Sequence, residues 1–109
     1  RSKNLEGAAA VYDRAALIAL PPDLRDPYMH HMAQLLPGGS AGLLITLDYP
    51  QPEMKGPPFS VPQHEVLVLC DSRFSHSSLA CIDVLAREPR FRDRGVTRMQ
   101  EHVSALTRL

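Results

Sequence analysis

Two charged neighbours, Asp13 and Arg14, are the first residues whose types and position suggest chemistry. They follow a short apolar run at residues 8–12, which is typical of a strand buried on both faces. Open α/β sheets place ligand contacts at the carboxyl ends of such strands. The guanidinium of Arg14 offers five donors and a permanent positive charge, which suits an anionic ligand. On spacing alone, a weak salt bridge that caps a strand end is the favoured interpretation.

A proline-rich loop at residues 48–62 is the second candidate. Pro57 and Pro58 stiffen its backbone, and Phe59 offers an aromatic face to a planar heterocycle. A ligand that stacks on a rigid wall loses little ordering entropy, so the loop suits a small aromatic substrate. Tyr49, directly after a predicted strand, would either line that pocket or cover the strand end. The competing interpretation is a stiff turn whose Phe59 belongs to the core.

An arginine cluster near the C-terminus is the third candidate. Its members are Arg87, Arg90, Arg92, Arg94 and Arg98. From the cluster alone, the interpretations are a phosphate or RNA patch and a solvated connection, of which the solvated connection is favoured. The chain has 12 basic and 12 acidic side chains, and Glu88 and Asp93 interrupt the cluster, so we expect no nucleic-acid partner.

The histidines and cysteines predict neither a metal site nor a hydrolase. His30 and His31 are adjacent, so on a helix they point about 100° apart and cannot share a metal as an i, i+4 pair would. Cys70 and Cys81 match no zinc spacing and are expected to be free thiols in a reducing compartment. The serines around His76 lack a Gly-x-Ser-x-Gly elbow.

Composition predicts one globular α/β unit. The 109 residues are 44% hydrophobic, and no apolar run approaches the roughly 20 residues that a membrane helix needs. We therefore expect a cytoplasmic protein with no membrane partner.

The N-terminal half predicts a strand, a helix and a second, parallel strand. A short helix at 14–20 should end at Pro21, and a longer helix should begin at Pro22. The predicted apolar stripe of that helix consists of Leu24, Tyr28, Met32 and Leu35. Residues 37–40 end it, and residues 41–47 form the second strand, so the unit is a right-handed crossover.

The C-terminal half is less determined. Residues 66–69 fit a helix or a strand, residues 79–85 read as a strand, and residues 86–94 form a charged connection. Residues 95–109 fit a terminal helix or a terminal strand.

Three segments together resemble the thiopurine S-methyltransferase family. They are Val-Tyr-Asp-Arg-Ala-Ala-Leu from residue 11, Gly-Leu-Leu-Ile-Thr-Leu-Asp-Tyr from residue 42 and Gly-Pro-Pro-Phe-Ser-Val-Pro from residue 56. The match weakens at residues 64–81 and returns through Pro-Arg-Phe-Arg-Asp-Arg-Gly from residue 89. The resemblance implies the C-terminal half of a Rossmann-like methyltransferase sheet, with parallel strands, helical crossovers and a terminal antiparallel hairpin. It also implies a helix at 61–69 and a last strand at about 102–109.

The same resemblance implies a function. Members transfer a methyl group from S-adenosylmethionine to the sulfur of an aromatic or heterocyclic thiol, and selenium or tellurium species are further possible acceptors. Arg14 matches the family arginine beside the methyl donor and the substrate, with Asp13 as a neighbouring donor contact. Arg90 matches a second arginine near the substrate. Pro57, Pro58, Phe59 and Tyr49 would contact the acceptor.

The chain is expected to be a single partial domain, residues 1–109. The family builds its donor pocket mainly from an N-terminal segment with a glycine-bearing turn, and this chain contains no Gly-x-Gly. We therefore expect impaired turnover and an exposed sheet edge able to self-associate. The alternatives are a non-catalytic fragment that pairs through that edge and a small-molecule binding module.

Overall fold

A mixed four-stranded sheet with two helices packed on one face forms the scaffold. The computed structural model describes residues 10–13 and 16–109. The helices and strands are β1 (Ala10–Asp13), α1 (Pro22–Leu35), β2 (Ala41–Asp48), α2 (Gln63–Cys70), β3 (Phe74–Asp83), α3 (Pro89–Asp93) and β4 (Gln100–Arg108). Single 3-10 turns occupy Leu17–Ala19, Gln51–Glu53 and Leu85–Arg87.

The strand order is β1-β2-β4-β3. β1 and β2 are parallel and are joined by α1, which confirms the predicted crossover unit. β4 is antiparallel to both β2 and β3, so the last strand lies inside the sheet rather than at its edge. The terminal antiparallel hairpin implied by the family resemblance is confirmed, and residues 100–108 form a strand rather than a helix.

The predicted apolar stripe of α1 is right at Tyr28 and Met32, which pack against the core, and wrong at its two ends. Leu24 and Leu35 are each 47% exposed, whereas the buried residues of the helix are Arg25, Met29 and Ala33. These also recur every four residues, so the buried stripe is the predicted one shifted by one position. The shift carries a guanidinium into the interior, where a carboxylate and a carbonyl from other elements accept its hydrogen bonds.

Other boundaries also differ from the sequence prediction. Residues 66–69 belong to α2, where Val66, Leu69 and Cys70 are buried at helical spacing. The strand predicted at 79–85 begins earlier, at Phe74, and ends at Asp83. Within the described part of the segment predicted as helix 14–20, only one 3-10 turn forms. The charged connection contains the short helix α3.

Two hydrophobic clusters lie at different places on the sheet. The first joins α1 and α2 to the sheet through Leu44 and Leu106. The second lies beyond the carboxyl end of β2, where Leu47 packs with residues of the 84–99 segment such as Phe91 and Met99. The second cluster therefore anchors α3, which carries Arg90, beside the end of β2. Along the described stretch of chain, no helix is both long enough and apolar enough to cross a bilayer.

Candidate active site

A cavity of about 250 Å³ opens where the carboxyl half of β2 meets α3. Its lining combines apolar side chains with two cations and two carboxylates. The lining residues are Ile18, Ile45, Leu47, Pro58, Val84, Arg87, Glu88, Arg90, Phe91 and Glu101. The cavity thus lies at the end of a buried strand, where the sequence predicts ligand contacts.

Arg90 contributes the cation that the sequence singled out. Its side chain is 73% exposed and its Nε lies 3.3 Å from Oε1 of Glu88. Its guanidinium carbon lies 4.7 Å from the centroid of the Phe91 ring. Exposed ion pairs of this kind are worth less than about 1 kcal/mol, so Arg90 can turn toward an anionic ligand at little cost.

Pro58 forms a wall of the same cavity and is held there by a hydrogen-bonded network. The Tyr49 hydroxyl donates to the carbonyl of Pro58 at 2.6 Å. The Gln51 side-chain amide donates to the Met54 carbonyl at 2.8 Å, and its oxygen accepts from the backbone N–H of Ser60 at 2.9 Å. Tyr49 is 2% exposed, and burial raises the pKa of its phenol. Tyr49 therefore positions the proline wall from behind and does not line the cavity.

The turn before that wall requires glycine. Gly56 has φ +82°, and a Cβ built there would lie 2.8 Å from Cδ1 of Phe59. A side chain would be strained by the backbone conformation and would also clash with the ring. The peptide bonds that precede Pro57 and Pro58 are both cis.

Phe59 lies on the other side of the loop from Arg90. Its backbone N–H donates to the carbonyl of Ile18 at 2.7 Å, which ties the loop to the turn after β1. Its ring borders a separate open cleft of about 310 Å³ with Gln51 and Lys55. The structure therefore brings Pro58 and Arg90 together and separates Phe59 from them.

Arg25 packs beneath Phe59 as a buried cation. It is 2% exposed, and its guanidinium carbon lies 5.8 Å from the centroid of the ring. Nη1 lies 2.7 Å from Oε2 of Glu65 on α2, and Nε donates to the carbonyl of Leu20 at 3.0 Å. Nη2 has no hydrogen-bond partner among the described residues. Arg25 thereby joins α1, α2 and the turn before α1 under the loop.

A second contact joins the loop to the segment that precedes β4. Oε1 of Glu53 accepts a hydrogen bond from the backbone N–H of Thr97 at 2.8 Å, and Oε2 accepts one from its hydroxyl at 2.7 Å. These hydrogen bonds hold the pKa of Glu53 below its ordinary value. This contact ties the 3-10 turn of the loop to the chain segment between α3 and β4.

Both carboxylate oxygens of Asp13 accept hydrogen bonds from groups of this chain, and Arg14 lies outside the described residues. Oδ1 of Asp13 accepts from the backbone N–H groups of Ala16 at 3.1 Å and Leu17 at 3.4 Å. Oδ2 accepts from the Tyr28 hydroxyl at 2.5 Å. Burial, followed by this carboxylate contact, raises the pKa of Tyr28. Asp13 therefore fixes the backbone at Ala16 and Leu17.

Several residues of this arrangement were not predicted. Arg25 and Glu65 are partners 40 positions apart, and Glu101 is placed by strand register, so no local motif predicts these contacts. The partners of Gln51 lie within the loop itself, but no known motif indicates them. The one available signal was the spacing of Arg25, Met29 and Ala33, which reads as a helix face once an arginine is allowed inside it. No group of three or more His, Cys, Asp or Glu side chains suited to a metal occurs within the described ranges.

Comparison with known proteins identifies the family of this chain. A family model described as thiopurine S-methyltransferase matches residues 1–109. A thiopurine S-methyltransferase of Nitrosomonas eutropha is 50% identical over 96% of this chain and 48% of its own length. That of Nitrosospira multiformis is 47% identical over 97% and 48%, and that of Pseudomonas paraeruginosa is 48% identical over 99% and 50%. The chain spans about half the length of these curated relatives. It belongs to the thiopurine S-methyltransferase family.

Proposed function

We propose that this chain forms the acceptor side of an S-adenosylmethionine-dependent methyltransferase that acts on the sulfur of aromatic or heterocyclic thiols. The observation that carries the proposal is the cavity at the end of β2, in which an apolar floor and the Pro58 wall face Arg87 and Arg90. Membership of the thiopurine S-methyltransferase family supports the same reaction class. The cavity is small, so it suits one or two fused rings rather than a macromolecule.

Within this proposal the residues of the chain orient the acceptor and stabilise its charge. The guanidinium of Arg90 holds the sulfur in its thiolate form, and Arg14 supplies a second cation. Pro58 packs against the ring and fixes the direction in which the sulfur points. S-adenosylmethionine, when bound, supplies an electrophilic methyl carbon for direct in-line displacement.

The described residues fit the acceptor better than the methyl donor. Both carboxylate oxygens of Asp13, the described residue expected at the donor, already accept hydrogen bonds from within the chain. We therefore assign no donor contact to Asp13 beyond its support of the backbone at Ala16 and Leu17. Calorimetry with S-adenosylmethionine measures how much of the donor site this chain carries, and we expect weak binding.

Binding of an aromatic thiol to the chain tests the acceptor site directly. We expect para-nitrothiophenol to bind, and Arg90→Met to weaken the affinity by about tenfold, since a charge-assisted contact is lost. Arg92 lies on the same short helix but does not line the cavity, so Arg92→Met is the matched control. Equal losses in the two variants would contradict the assignment of Arg90. Methyl transfer is followed separately, by mass spectrometry of the thioether formed from a deuterated methyl donor.

We also propose that the β1 edge supports self-association. Among the described residues β1 pairs only with β2, and beside it lies an open apolar groove bordered by Leu43 and Ala105. Leu43 is 39% exposed although it lies within a central strand pair. A sedimentation profile that shifts with protein concentration is expected, and a monomer at all concentrations would count against this second proposal.

A further inference from the structure

A carboxylate stands in an apolar row across the middle of the sheet. Glu101 on the interior strand β4 is directly opposite Leu47 on β2 and Ile82 on β3. Directly opposed residues share one face of a sheet, so the Glu101 side chain is flanked by two apolar side chains. Glu101 is half-buried, and a carboxylate in such surroundings loses solvation unless something pairs with it.

No side chain or backbone group of the described residues provides that pairing. The Glu101 side chain takes part in none of the ion pairs or hydrogen bonds of the described part of the chain, and Arg90 pairs with Glu88 instead. Glu101 nevertheless lines the same cavity as Arg87 and Arg90. The cavity therefore has Arg87 and the Arg90–Glu88 ion pair on the α3 side and an unpaired carboxylate on the sheet side.

We propose that Glu101 is a specificity-determining residue that accepts a hydrogen bond from a ring N–H next to the acceptor sulfur. This inference rests on the proposed function. A cyclic thioamide binds as the neutral thione rather than as a thiolate. It presents the thione sulfur and an N–H on neighbouring atoms of one planar ring, so it offers an acceptor to the arginines and a donor to the carboxylate. A simple arenethiolate has only the negative sulfur, which Glu101 repels. The chemical class selected is thus the heterocyclic thione that carries an N–H.

The test compares a thione that carries N–H groups with the same thione methylated on both nitrogens. Mercaptobenzimidazole and its N,N′-dimethyl thione share the ring and the sulfur, and calorimetry gives their dissociation constants for the chain. We expect a preference of about tenfold or more for the N–H form, because a hydrogen bond to a charged acceptor is involved. In Glu101→Leu the preference should fall to about threefold or less, and para-nitrothiophenolate should bind more tightly. A steric effect of the methyl groups would instead persist in the variant.

Leucine matches the two flanking apolar residues, so Glu101→Leu is expected to keep the fold, which circular dichroism checks. Glu101→Gln serves as a second variant that keeps the shape and removes the charge, and it should give an intermediate preference. A folded Glu101→Leu that retains the full N–H preference overturns the assignment. If the unmodified chain binds para-nitrothiophenolate but shows no preference for the N–H thione, the role of Glu101 is overturned while the proposed function stands. If none of these sulfur ligands binds, the proposed function itself fails.

Discussion

Removing Glu65 from its pair with buried Arg25 is expected to cost more stability than removing Arg25. Arg25 is 2% exposed, while Glu65 is 28% exposed, so only the carboxylate can turn to water when its partner is lost. Glu65→Leu leaves a buried guanidinium whose remaining acceptor is the Leu20 carbonyl. Removing one partner of a buried pair costs about 3–5 kcal/mol, and the partial exposure of Glu65 places this case near the lower value.

The reverse substitution should cost less. Arg25→Met keeps an unbranched side chain beneath Phe59 and leaves a carboxylate that solvent can reach. The lost hydrogen bond to Leu20 and the lost contact with the ring give an expected cost of about 1–2 kcal/mol. The double variant should resemble Arg25→Met rather than the sum, because no uncompensated charge remains.

Urea denaturation followed by circular dichroism measures the free energy of unfolding of the unmodified chain, the two single variants and the double variant, which together form a double-mutant cycle. A loss of about 3 kcal/mol should also lower the melting temperature of a domain of this size by about 10–15 °C. The pair of Arg73 and Asp26 provides the control, since its carboxylate is 64% exposed and Asp26→Asn should cost less than about 1 kcal/mol. The reasoning is refuted if Arg25→Met costs more than Glu65→Leu, or if the two costs simply add.

Three further results are expected. Tyr28→Phe removes a hydrogen-bond donor from buried Asp13, so it should lower the free energy of unfolding by about 1–3 kcal/mol. Urea denaturation measures this cost, and a value below about 0.5 kcal/mol would contradict the expectation. The pKa of Glu53 is lowered in the folded state, so its contribution to stability is present above its ordinary pKa of 4.5 and is lost as the pH falls below it. Glu53→Gln should therefore show a smaller drop in urea midpoint between neutral and acid pH, and an unchanged drop would exclude the mechanism. Burial raises the pKa of the Cys70 thiol, so iodoacetamide should modify exposed Cys81 first, as mapped by mass spectrometry, and native-state labelling of Cys70 would be the opposing result.

Local patterns were sufficient to predict the strand–helix–strand unit and the position of the proline-rich loop. A continuous apolar run predicts a buried strand wherever it lies, and Pro22 begins a helix through its own backbone geometry. The motif at residues 56–62 likewise indicates the family without reference to any distant residue. The terminal strand β4 was different, because its sequence alone also fits a helix and only the family pattern favoured the strand.

The tertiary structure decided which side chains meet. Arg25 is buried because Glu65, 40 positions later, and a backbone carbonyl accept its hydrogen bonds, and the sequence of α1 identifies neither acceptor. Pro58 rather than Phe59 faces Arg90, because hydrogen bonds from Tyr49 and to Ile18 fix the orientation of the loop.

The position of Glu101 in the cavity likewise could not be predicted from the sequence. The register of β4 against its two neighbours places Glu101 between two apolar side chains, one of which, Leu47, lies more than 50 positions earlier in the chain. Residue types and local spacing determine which elements form, since those depend on short-range backbone and side-chain preferences. The contacts that give this site its charge pattern depend on packing between distant segments, which only the folded chain defines.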